Sequence, residues 1–190
     1  MKKIIFDLDD TLYASKELRE LREQEILKLV GNKVDDYKKL RKTNTTTQSI
    51  LKLGIPRERL FEALNSVDVP LKKDKLLINV LKNLKENYEL VVMSNSPSLA
   101  VRKTLNKLGI SNLISNTYSA EDFPRSKPAE ECFFMVSKGD VCVGNNFDKD
   151  LAIPKKMGAI TIYLGKEPHP DAHASIKTVY EIESALEKVV

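Results

Sequence analysis

Four short apolar runs constrain this chain more than any other feature: KIIFDL at 3–8, YELVVMSNS at 88–96, DVCVG at 140–144 and AITIYLG at 159–165. Each is long enough for one buried strand, and each gives way at its carboxyl end to acids, small polar residues or glycine. LISNTYSA at 113–120 offers a further strand, and SIKT near the end a possible edge strand. Amphipathic stretches lie between them: DKLLINVLKNLKEN at 74–87, a helix from Pro97 to Leu108 stopped by Gly109, and another from about Asp150 to Met157. Strands that alternate with helices require crossover connections. The expected fold is therefore α/β, a Rossmann-like parallel sheet flanked by helices.

One region breaks the alternation. From Ser15 to about Leu40 the spacing of Leu18, Leu21, Ile26, Leu29 and Val30 is helical, with Gly31 and Asn32 as a break. After a polar loop at 44–47, SILKLGIPRERLFEALNSV predicts a short helix, a Gly-Ile-Pro turn and a helix from Pro56. No strand is predicted here. Residues 14–70 read as a small all-helical cap inserted after the first strand, with 1–13 and 71–190 as the core.

The composition excludes several classes. A chain of 190 residues with 42% hydrophobic and 31% charged residues can bury a core, so disorder is not expected. The net charge of +4 is spread along Lys/Glu-rich helices, which suits a solvated surface and not nucleic-acid binding. No stretch approaches a membrane span, and MKKIIFDLDD lacks the apolar run of a signal peptide; the expectation is a cytoplasmic protein without a membrane partner. Cys132 and Cys142 have no neighbours at metal-ligand spacing and read as reduced packing residues. His169 and His173 lie in a polar loop and read as surface residues, and the basic cap residues, Arg19 and Arg22 among them, as solvated helix faces in preference to contacts for an anionic substrate.

In a parallel sheet the carboxyl ends of the strands share one edge, and ligands bind there where the strand order reverses. The polar clusters fall at these ends: Asp7, Asp9, Asp10 and Thr11; then Ser94, Asn95 and Ser96; Lys127 in a loop; and Asn145 to Asp150. Two carboxylates two positions apart can divide labour, one attacking an electrophile and the other moving a proton for the leaving group and for water. Their mutual repulsion calls for a cation. Mg²⁺ suits oxygen ligands and bridges carboxylates to phosphate, while Lys127 and the groups around Ser94 can neutralise the remaining phosphate oxygens. Phosphoryl transfer is the reaction that uses such a set.

FDLDDTLY resembles the DxDxT signature of the haloacid dehalogenase superfamily, VVMSN its second motif, SKP its motif lysine and VGNNFDKD its acidic fourth motif, all in the family order. That resemblance implies Asp7 as the nucleophile forming an aspartyl-phosphate and a Mg²⁺ ligand. Asp9 would be the general acid and base, with its carbonyl on the metal. It further implies that Ser94 and the amide of Asn95 bind the phosphoryl group, that Lys127 steadies nucleophile and phosphate, and that Thr11 supports the loop. Asp9 favours the phosphatase branch, because displacing halide needs no leaving-group proton. The run also looks like the small-cap branch that includes pyrimidine 5′-nucleotidases. The implied function is Mg²⁺-dependent hydrolysis of a small phosphorylated metabolite, a nucleotide or sugar phosphate. The alternatives are a catalytically weak phosphate- or nucleotide-binding or regulatory protein and a 2-haloacid dehalogenase.

The fourth motif departs from the family. An acid is usual where Asn145 stands, the position of a direct metal ligand, and Asp150 takes the position of an outer partner. Asn145 offers a neutral amide oxygen, so the site loses a charge that Asp148 or Asp150 could supply. The segment between Lys127 and Gly144 is also short, with room for roughly two helical turns.

Overall fold

A computed structural model describes residues 1–190. The chain begins with β1 (Lys3–Phe6) and then runs through four helices, α1 (Lys16–Val30), α2 (Val34–Leu40), α3 (Thr46–Lys52) and α4 (Arg57–Ser66). It returns to an alternating pattern through α5 (Lys75–Lys85), β2 (Glu89–Met93), α6 (Ser98–Leu108), β3 (Asn116–Tyr118), β4 (Val141–Gly144), α7 (Ala152–Lys156), β5 (Ile160–Leu164), β6 (Ala174–Ile176) and α8 (Ile182–Val189). All neighbouring strands are parallel, in the order β3-β2-β1-β4-β5-β6. The expected parallel α/β sheet is thus present. Succession along the chain runs outward from β1 to β3 on one side and then resumes with β4 on the other, so the order reverses between β1 and β4. That is where a ligand crevice forms in such a sheet.

Each central strand is buried on both faces, which explains runs that are apolar without alternation. Ile4 and Phe6 of β1 join Leu90, Val92, Val141 and Val143 in one cluster, while Ile5 joins Val91, Met93 and Cys142 on the opposite face. Helix α5 covers the first face through Leu77, Leu81 and Leu84, one side of a helix at spacings of four and three. Its start is fixed by Asp74, whose side chain accepts from the Leu77 amide at 3.0 Å, a cap worth about 1 kcal/mol. Both cysteines are free and buried.

Helices α1 to α4 bury their own cluster of Ile26, Val30, Tyr37, Ile50 and Leu60. They meet the sheet body at a few polar points. Arg57 Nη1 donates to the Phe123 carbonyl at 2.9 Å, Asn65 Oδ1 accepts from the Ala100 amide at 3.0 Å, and the Thr45 and Ser126 hydroxyls stand 3.3 Å apart. One expectation needs correction: the segment after Lys127 holds a single 3₁₀ turn, Glu130–Phe133, in place of two helical turns. Cys132 and Phe133 are wholly buried there, so this brief stretch is spent on filling the core beside β1.

Candidate active site

Phe6 lies level with Val92 on one side and Val143 on the other, and the Asp7 amide prolongs the ladder by donating to the Val143 carbonyl at 2.9 Å. The loops after β1, β2 and β4 therefore leave the sheet side by side. Asp10 turns the first of them with φ 62°, a left-handed conformation that Asp tolerates better than most residues. The turn brings Thr11 back beneath Asp7, and its hydroxyl donates to Asp7 Oδ2 at 3.1 Å.

Lys127 is the centre of the buried polar set. Its side chain is 1% exposed, and a lysine is buried so fully only when its charge is paired. Nζ lies 2.8 Å from Asp7 Oδ1, 2.8 Å from Asp150 Oδ1 and 2.9 Å from the Met93 carbonyl, which uses all three of its protons. Asn95 holds the backbone behind it: Oδ1 accepts from the Lys127 amide at 2.8 Å and Nδ2 donates to the Lys127 carbonyl at 3.2 Å. Burial disfavours charge on Lys127, yet Asp150 and Asp7 together raise its pKa above the ordinary lysine value. Burial also pushes the Asp7 carboxyl up to about 6, against the pull of Lys127 and with the help of Asp150.

Asp150 reaches Lys127 from a π-helical turn, Phe147–Leu151, started by Asn146, whose side chain accepts from the Lys149 amide at 3.1 Å. The turn brings the chain back against the end of β4. A Cβ on Gly144 would stand 2.6 Å from Asp150 Cβ, so only glycine at 144 lets this carboxylate reach the lysine.

Asp9 points elsewhere. Its Oδ1 accepts from the Tyr13 hydroxyl and from Arg22 Nη1 at 2.5 Å; its Oδ2 accepts from Ser96 Oγ at 2.8 Å and, at 3.4 Å, from Ser94 Oγ. Burial works to raise the Asp9 pKa and is outweighed, so the carboxyl sits below its usual value, chiefly through Arg22 and then the Tyr13 and Ser96 hydrogen bonds.

Asp7, Asp9, Ser94, Asn95, Lys127 and Asp150 are thus brought to one edge. Asn145 is half-exposed after β4, and Asp148 is exposed at the rim of the adjoining cavity. That cavity, about 990 Å³, lies between the sheet edge and the helical insert. Two features around Asp9 were not legible. Tyr13 holds Asp9 although nothing in its spacing says so, and it is joined there by Ser96 from the polar cluster after β2. Arg22, expected on a solvated face, has a side chain only 14% exposed and binds Asp9. A signal existed: Leu18, Arg22, Ile26 and Val30 recur every four residues, which places a cation on the buried stripe of α1. His169, expected to be a surface residue without a partner, stacks on Phe147 with centroids 4.0 Å apart and planes 6° from parallel.

A buried lysine bridging two carboxylates, a third carboxylate beside them and a cavity above the switch point fit a hydrolase of the α/β type. The chain belongs to the haloacid dehalogenase-like hydrolase family, which it matches over residues 4–139. It is 25% identical over 221 aligned positions to glyceraldehyde 3-phosphate phosphatase of Methanocaldococcus jannaschii, covering all of this chain and 96% of that protein. Among solved structures it is similar to a HAD phosphatase from Thermococcus onnurineus, at 19% identity and a TM-score of 0.69 with both chains fully covered. It is also similar to a protein of Bacillus subtilis described as a HAD-hydrolase and solved with bound magnesium, at 15% identity, a TM-score of 0.67 and coverage of 97% and 98%. No helix is long and apolar enough to cross a membrane.

Proposed function

We propose that the protein is a Mg²⁺-dependent phosphatase of small phosphomonoesters that works through an aspartyl-phosphate on Asp7. The observation that carries this reading is the division between two carboxylates on one loop: Asp7 is fixed from behind by Lys127, and Asp9 stands free of that lysine among proton-bearing groups. In the first half-reaction an Asp7 oxygen attacks phosphorus, the P–O bond to the leaving group breaks, and Asp9 gives that oxygen a proton. In the second, Asp9 takes a proton from water, the water oxygen attacks phosphorus and the bond to Asp7 breaks. Lys127 holds Asp7 and shares its charge with the phosphoryl oxygens, and Ser94 supplies a hydroxyl beside them.

Asp7, Asp150 and Lys127 together leave one net negative charge at an edge furnished with oxygen donors, which fits a hard cation. No group of three or more acidic, His or Cys side chains converges to hold a metal, so Mg²⁺ would rely on Asp7, the Asp9 carbonyl, the Asn145 amide oxygen, Asp150 through water, and phosphate. Asp148 would contribute from the rim. When bound, the metal supplies positive charge to the phosphoryl oxygens and favours the ionised form of Asp7. Asp7 is raised and Asp9 lowered from their ordinary values, the opposite of what hydrolysis needs. A cation beside Asp7 and removal of Arg22 from Asp9 would reverse both.

Residues 14–70 would serve as the cap that closes over the ester and excludes water. Its cavity takes aliphatic surface from Ile26, Leu60 and Leu64 and has no aromatic lining on which a nucleobase could stack. That favours sugar phosphates over the nucleotides of the nucleotidase-like branch, and the phosphatase from M. jannaschii acts on a triose phosphate by its name. The deciding experiment is a phosphomonoester panel across a Mg²⁺ titration with wild type and Asp7→Asn. The variant should fold and lose at least about 10⁴ in kcat/KM; retained turnover would overturn the mechanism.

A further inference from the structure

We propose that His169 is a positioning residue for the metal side of this site: its ring braces the acidic turn after β4 and sets how readily that turn presents Asn145 and Asp150. The inference rests on the phosphatase reading. Its starting point is the turn itself. The Asp150 amide donates to the Asn146 carbonyl at 2.9 Å, the ordinary helical spacing, whereas the Ala152 amide donates to the Phe147 carbonyl, one residue further back. Turns this wide are rare and occur singly. Relaxation to the ordinary spacing would rotate the turn against α7 by about 100° and draw Asp150 away from Lys127.

The brace comes from the loop between β5 and β6. Phe147, where the wide turn begins, packs on the cluster that holds Cys142 and Leu151, and the His169 ring lies flat against it at 4.0 Å. The imidazole is itself held in place: Nδ1 accepts from the Asp171 amide at 3.2 Å, the His169 amide donates to Ser175 Oγ at 3.1 Å, and the Tyr163 ring leans on it at 5.3 Å. A Cβ on Gly165 would stand 2.4 Å from that tyrosine ring, so glycine there keeps the arrangement open. Lys155 Nζ on α7 donates to the Asp171 carbonyl at 2.6 Å, which ties the same loop to the helix that follows the turn.

His169 thus acts through Phe147 and not on the substrate. Without the ring, the turn spends part of its time in the relaxed spacing, and metal binding must first restore it. Apparent metal affinity falls, while the site assembled at saturating metal is the same. A flat ring is the requirement, so phenylalanine should replace His169. Asparagine should not, because it keeps an acceptor for the Asp171 amide but has no face to stack.

The test measures Mn²⁺ binding without ester by its EPR signal, and p-nitrophenyl phosphate turnover across a Mg²⁺ titration. His169→Asn should weaken Mn²⁺ binding and raise the half-activating Mg²⁺ concentration about fivefold, the effect of one lost aromatic pair, with kcat at saturating Mg²⁺ within about twofold of wild type. In the metal-free protein its amide exchange should quicken over residues 145–151 and not elsewhere. His169→Phe should match wild type in all of these, with thermal melts confirming that both variants are folded. Phe147→Leu removes the stack from the other side and should reproduce His169→Asn; it carries the test should the asparagine variant not fold. Equal behaviour of the Asn and Phe variants, a fall in kcat with the metal requirement unmoved, or a wild-type metal requirement in Phe147→Leu overturns the inference and leaves the phosphatase reading standing. No turnover by wild type at any Mg²⁺ concentration overturns both.

Discussion

Asp7 and Asp9 stand two residues apart on one loop, yet they belong to differently built corners of the site. The Asp7 corner is owned by the sheet body: Lys127 is seated by Asn95, and Asp150 is delivered by the turn after β4. Every partner there is buried or nearly so, and none comes from the helical insert. The Asp9 corner is shared. Tyr13 and Ser96 come from the loops at the sheet edge, but its charged partner, Arg22, arrives on α1. The first corner is held by the sheet body alone; the second takes its charged partner from α1. The difference suits the roles proposed for them, a fixed nucleophile and a proton carrier.

Breaking each corner by one side chain gives the largest expected difference. Asp150→Ala leaves the ammonium of Lys127 buried with one carboxylate instead of two, a loss of about 3 kcal/mol for an interior pair. Arg22→Ala removes a donor from an Asp9 that keeps its hydroxyls, a loss of about 1.5 kcal/mol. In thermal melts of a chain this size these correspond to drops of about 9 °C and about 4 °C. Equal drops, or a larger one for Arg22→Ala, would show that the corners are not separate.

The same division explains what could be read from the sequence. Strands β1, β2, β4 and β5 were legible because doubly buried strands are short apolar runs, and their polar ends identified the edge. Asp7, Lys127 and Asp150 were legible because each sits at a fixed offset from such a strand or a short motif. Arg22 was not, because it is one cation among many in KELRELREQE, and its neighbours in sequence face water. Only its register with Leu18 and Ile26 sets it apart. Tyr13 reads as an apolar position at the end of FDLDDTLY, and its hydroxyl finds Asp9 through the turn made by Asp10, whose backbone angle no spacing reveals. The short connection after Lys127 was misread because length alone does not say whether a segment coils into helix or fills a core.

Asn145 sharpens the comparison from the metal side, with a smaller effect. Asn145→Asp restores a charge next to the Asp7 corner and should lower the Mg²⁺ concentration for half activity about tenfold. An unchanged Mg²⁺ requirement would mean that Asp148 or Asp150 already supplies the missing charge.

The smallest expected effect lies in the pH profile, where the corners should respond to different perturbations. In the proposed mechanism Asp7 is ionised to attack and Asp9 holds a proton for the leaving group, yet burial raises the Asp7 carboxyl to about 6, above the ordinary 3.8, and Arg22 holds Asp9 below its usual value. The reactive form is then the minor protonation state, so kcat/KM at low Mg²⁺ falls as the pH rises through about 6, where ionised Asp7 gains nothing further while Asp9 goes on losing its proton, and the acid limb lies below the ordinary Asp value. Mg²⁺ stabilises ionised Asp7, so raising its concentration should carry the alkaline limb downward, by about half a unit for a site of modest affinity. Arg22→Gln raises the Asp9 pKa and should therefore move the acid limb upward and leave the alkaline limb in place. The limbs are macroscopic and belong to interacting groups, so the informative quantity is which limb moves with which change. If Arg22→Gln and Mg²⁺ displaced the same limb, the two carboxyls would be titrating as one unit, and fixed nucleophile and exchangeable acid would no longer be separate parts of the site.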